Sequence, residues 1–65
     1  MNIITYHVSK SETEQFIKAV ETFPAEKIKI VNVRTVERMN IFILNCLEIR
    51  DLIVLGMEFE KEKSK

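Results

Sequence analysis

Sixty-five residues carry 10 Lys and Arg against 10 Asp and Glu, for zero formal net charge, and 46% of them are hydrophobic beside 31% charged. That composition excludes a disordered chain, and the length allows one domain with a single thin core. One cysteine rules out an internal disulfide, and one His with one Cys is too few for a structural zinc site, so the expected source of extra stability is a partner chain.

Residues 1–5 show no basic n-region or apolar stretch of a secretory signal, and the longest apolar runs, Ile41 to Leu44 and Leu52 to Leu55, are four residues long. A bilayer span needs about 18. With no signal and one unpaired thiol, a reducing, cytoplasmic setting is expected. Nine Ile beside two Ala match AT-rich coding sequence, a hint of a low-GC microbe or virus.

In chain order, Ile3 to Val8 reads as a strand, with Ile4, Tyr6 and Val8 on one face and Thr5 and His7 on the other. Ser11 and Glu14 have capping-box spacing, with Ser9 and Glu12 as an alternative register. Phe16, Ala19, Val20 and Phe23 follow at i, i+3, i+4, i+7 and predict a helix over 11–23, which Pro24 stops. Lys27 to Ile30 alternates as a half-buried strand, but Val31, Val33 and Thr35 move the apolar side to the other parity. A bulge near Ile30 and Val31, or a two-sided environment, would reconcile the two. Glu37 to Asn40 reads as a turn, with Asn40 best suited to a left-handed conformation.

Ile41 to Leu47 is apolar on both parities, the pattern of a central strand covered on both faces. After a polar break at Glu48 to Asp51, Leu52 to Phe59 reads as a last strand fading into a charged tail, 60–65, with a helix over Asn45 to Leu55 as the competing assignment.

These elements predict a single α+β domain over 1–59, ordered β-α-β-β-(β). It is a split β-α-β sheet of order 2-3-1 with a fourth strand at an edge and one helix on one face. Nothing in the chain covers the second face, so a homodimer or larger homo-oligomer is expected to complete the fold. Ile41, Phe42, Ile43, Leu44, Leu47, Leu55 and Met57 are the residues assigned to that contact.

Chemistry is sparse. No catalytic residue, cofactor or metal is expected, and the chain is not expected to be an enzyme. His7 and Cys46 could in principle pair as nucleophile and base on neighbouring strands, but a Cys inside an apolar strand is usually a small buried hydrophobe. Glu58, Glu60 and Glu62 would share a strand face, yet interleaved Lys61, Lys63 and Lys65 suit a soluble edge better than a metal site. With Gly56 the only glycine, phosphate-loop and dinucleotide fingerprints are absent.

Charge alone points to function. Lys27, Lys29, Arg34 and Arg38 against Glu26 and Glu37 give residues 25–40 a net +2, between flanking segments of −1 each. The expected function is therefore a small interaction module that binds itself and another protein, a regulator or inhibitor. A dimeric nucleic-acid binder using Lys27, Lys29, Asn32, Arg34 and Arg38 is the alternative; no membrane partner is expected.

Overall fold

The computed structural model describes all 65 residues as a small α+β domain: a three-stranded antiparallel sheet and two helices. Strand β1 (Asn2–Ser9) leads through one 3-10 turn, Lys10–Glu12, into helix α1 (Thr13–Glu21). Strands β2 (Ile28–Val36) and β3 (Met39–Cys46) form a hairpin, and helix α2 (Asp51–Lys63) ends the fold. The sheet order is β1-β3-β2, both pairs antiparallel, so β1 and β2 run parallel on either side of the apolar strand β3.

The register sorts the side chains. Cross-strand rows such as Ile4–Leu44–Ile30 and Tyr6–Phe42–Val33 point to one face, and rows such as Thr5–Ile43–Asn32 and His7–Ile41–Arg34 to the other. The shift between Ile30 and Asn32 is the bulge that β2's change of parity requires, and it keeps Ile28 and Val33 on the same side.

The expected fourth strand is a helix. Leu52 to Phe59 is apolar on both parities, which suits a doubly covered strand, but Leu52, Leu55 and Phe59 also stand at i, i+3, i+7 and turn one stripe inward. Asp51 in the first turn and Lys61 and Lys63 in the last complement the helix dipole, and three i,i+3 pairs brace the charged end: Glu58–Lys61, Glu60–Lys63 and Glu62–Lys65. Residues 60–63 are thus the last helical turn rather than a tail. The alternative helix over Asn45 to Leu55 holds only for 51–55: Asn45 and Cys46 belong to β3, and the helix starts at Asp51.

Two further details differ locally. No side-chain capping hydrogen bond forms at the start of α1; Ser9 and Ser11 hydroxyls meet each other at 3.0 Å instead. A side-chain relay fixes that helix start. Asn40 Nδ2 donates to Thr13 Oγ1 (2.7 Å), Thr13 Oγ1 donates to Ser9 O (3.2 Å), and Thr35 Oγ1 donates to Asn40 Oδ1 (2.8 Å). Asn40 is therefore a strand residue, and the positive φ of the hairpin turn, 55°, falls on Glu37.

Both helices pack on one face of the sheet and against each other. Phe16 is the centre of that layer, with ring centroids 4.7 Å from Phe42, 4.8 Å from Tyr6 and 5.3 Å from Phe59. Val8, Ala19, Val20, Ile28, Leu44, Cys46 and Leu55 complete the core around them. Lys63 Nζ lies 4.4 Å from the Phe59 ring centroid and 2.8 Å from Glu60, and it reaches Glu12 at 3.8 Å, tying the end of α2 to the start of α1. The Glu60 hydrogen bond, with Glu12 beside it, holds its ammonium above the usual lysine range. No helix is long and apolar enough to cross a membrane.

Candidate functional site

The side of the sheet opposite the helices is bare. It presents Ile3, Thr5 and His7 from β1, Met39, Ile41, Ile43 and Asn45 from β3, and Lys29, Asn32, Arg34 and Val36 from β2. Alternation places them there: on a strand every second side chain points to one face, and the row that does not enter the core must emerge here. Three strands of about eight residues give this face a projected area of roughly 400 Å². Ile3 is 65% exposed, Val36 47% and Met39 38%, while the central Ile41 and Ile43 are half-buried by their neighbours.

Of the residues assigned to a subunit contact, Phe42, Leu44 and Leu55 are 0–2% exposed within this one chain. They are core: Phe42 and Leu44 lie on the face that the two helices cover, with the Phe42 ring 4.7 Å from that of Phe16, and Leu55 is on the inward stripe of α2. They therefore leave the candidate contact. Ile41 and Ile43 lie on the bare face, whereas exposed Leu47 follows β3 and exposed Met57 stands on the outer side of α2 beside Ile53 and Val54. Sequence patterning missed this outer stripe because it takes shape only if 51–63 is helical.

The basic residues divide likewise. Lys29 and Arg34 are on the bare face opposite Asn45 and Ile41, Lys27 precedes β2, and Arg38 sits in the hairpin turn, where its carbonyl accepts from Lys10 N–H at 3.0 Å. None of the four forms an ion pair, and no carboxylate belongs to the strand rows of that face. Asn32 Oδ1 accepts from Val33 N–H at 2.8 Å, so its acceptor is spent on its own strand.

The Cys–His pairing does not form. His7 is exposed on the bare face opposite Ile41; Cys46 is fully buried on the other face and five residues further along β3, about 17 Å of strand. Burial raises the Cys46 thiol, the Asp51 and Glu48 carboxylates add to the shift, and a Glu48 backbone hydrogen bond opposes it. Such a thiol is a poor nucleophile. The helix also disperses Glu58, Glu60 and Glu62 into separate lysine pairs, and nowhere do three His, Cys, Asp or Glu side chains converge. An open depression of about 470 Å³ between α1 and β2, lined by Ile17, Val20, Phe23 and Ile28 among others, holds Glu21 and Lys29 as its only charged groups.

No protein-family model, curated protein or solved structure matches the chain. Geometry is therefore what a functional reading rests on.

Proposed function

We propose that the chain is a small non-enzymatic interaction module that associates with itself and docks another protein on the bare face of its sheet. The observation that carries this reading is the row Ile3, Ile41, Ile43, Met39 and Val36, on a face that no element of the chain covers. The largest exposed apolar patch of a small protein is often functional, and this row is the apolar part of the bare face. Lys29 and Arg34 at the β2 margin, with no acid beside them, favour a partner that carries carboxylates there.

A photo-crosslinking side chain at Ile43 tests this, with the same group at exposed Glu14 as control. A discrete adduct with one other polypeptide, formed in cells at Ile43 and not at Glu14, is the expected result; adducts no more frequent at Ile43 than at Glu14 would refute it.

The unpaired cations favour one second reading, nucleic-acid binding through Lys27, Lys29, Arg34 and Arg38. Four phosphate contacts would cost about 10²-fold in affinity between 50 and 200 mM salt. Zero net charge, the absence of Phe, Tyr or Trp from the bare face and the engaged Asn32 oppose it. A gel shift absent up to about 100 μM, the weak end of non-specific affinity, removes it.

A further inference from the structure

The two edges of the sheet are unlike. The outer edge of β2 is guarded: its register breaks between Ile30 and Asn32, and Lys29 and Arg34 flank the break. Bulges and edge charges are the devices that stop a strand from recruiting another. The outer edge of β1 has neither. Asn2 to Ser9 runs eight residues in unbroken register with β3, without Pro, Gly, Lys, Arg, Asp or Glu, and no strand of the chain pairs with its far side.

We infer that this edge is where the chain meets a second copy of itself, β1 against β1 in antiparallel pairing. The result is one six-stranded sheet with all four helices on one side. The inference rests on the self-association in the proposed function and names its surface; the docking of another protein on the bare face stands or falls separately.

Three features favour a second copy as the occupant. A two-fold axis sets each group of β1 opposite one from the same strand, so a charged edge would repel itself, and this one carries no formal charge. Faces must also match. Partners directly opposite in an antiparallel pair share a face, which is satisfied when their residue numbers sum to an even value. With Thr5 on the axis, Thr5 meets Thr5 of the second copy, and Ile4 meets Tyr6 of the second copy twice by symmetry. Thr–Thr and aromatic–β-branched pairs are among the stabilising cross-strand combinations. Third, Ile4 and Tyr6 already pack on the core, so pairing extends the covered layer across the junction and doubles the bare face beyond it.

Sedimentation of the whole chain from 1 to 500 μM, with and without substitutions at Thr5, tests the inference. Thr5 is exposed and on the bare face, so the fold tolerates a change there. Thr5→Lys puts two like charges on the axis and is expected to weaken dimerisation at least tenfold with an unchanged circular dichroism spectrum; an equimolar mixture with Thr5→Glu restores dimers. Cross-linking checks the register. In a Cys46→Ser background, diamide takes the hydrogens of two thiols, becoming the hydrazine as the disulfide forms. Thr5→Cys is expected to link several times faster than Ile43→Cys at the centre of the bare face or Asn32→Cys on β2, because opposed Cα atoms about 5 Å apart suit a disulfide. A monomer throughout the concentration range, no response to Thr5→Lys, or preferred linkage at Ile43 or Asn32 overturns the inference. Linkage at Thr5 without any photo-adduct at Ile43 would support it while removing the docking role of the bare face.

Discussion

The two faces of this sheet share the same three strands, and along β3 both rows are mainly apolar, yet one face is a core and the other a surface. On the helix side, Phe42, Leu44 and Cys46 are 0–2% exposed; on the other, the neighbouring Ile41 and Ile43 keep part of their surface in water and Ile3 most of it. Along β3 hydrophobicity does not distinguish the two rows, although Thr5, His7, Lys29, Asn32 and Arg34 make the flanking strands more polar on the bare side. What distinguishes them is which row the two helices cover, and a short chain has helices enough for only one.

The largest test of that contrast is truncation on each side. Phe16→Ala removes the ring at the centre of the aromatic cluster and is expected to cost about 3–5 kcal/mol, and Leu44→Ala about 2–5, enough to unfold much of a domain this small. Ile43→Ala, one residue away but on the bare side, is expected to cost less than about 1 kcal/mol in a denaturant titration of the monomer. A comparable loss at Ile43 would mean that the bare face is already covered under the conditions of the measurement, which a concentration series would reveal.

A smaller change acts on the covering layer. Gly56 lies mid-helix in α2 with open space where a Cβ would stand, so Gly56→Ala is expected to raise stability by about 0.5–1 kcal/mol. That corresponds to a few degrees in Tm for a domain of this length.

Protonation gives the smallest difference. The folded state holds the Cys46 thiol above its ordinary range, so the unfolded chain releases that proton first as pH rises. The stabilisation is whole below about pH 8.5 and is lost as pH climbs through the folded value. Urea midpoints are expected to fall between pH 8 and 10, and Cys46→Ser to flatten the slope; an identical slope in the variant would show that the thiol does not contribute. Native Cys46 should likewise resist thiol reagents until the chain unfolds, whereas a cysteine placed at Ile43 should react at once.

Much of the core was legible in the residues. The stripe Phe16, Ala19, Val20, Phe23, the alternation of β1, the bulge in β2 and the two-sided character of β3 are local patterns that one strand or one helix displays by itself. Leu52 to Phe59 was not, because a short run apolar on every side satisfies both periods, and the deciding signals, Asp51 at the front and lysines three residues after glutamates at the back, are weak singly. That one misreading propagated. It puts Leu55 on an oligomer contact, hides the outer stripe of Ile53, Val54 and Met57, and supplies a false strand edge; Phe42 and Leu44 join that contact because alternation alone does not say which row of β3 a helix covers.

By itself, then, the sequence determined the α+β class, the first helix, three strands and the presence of a sheet face that nothing covers. The tertiary structure decided which face that is, that a second helix rather than a fourth strand joins the first, and that β1 is left as an unguarded edge. The physical reason is one of range: periodicity reports which side of an element is apolar, while coverage depends on contacts between elements far apart in the chain.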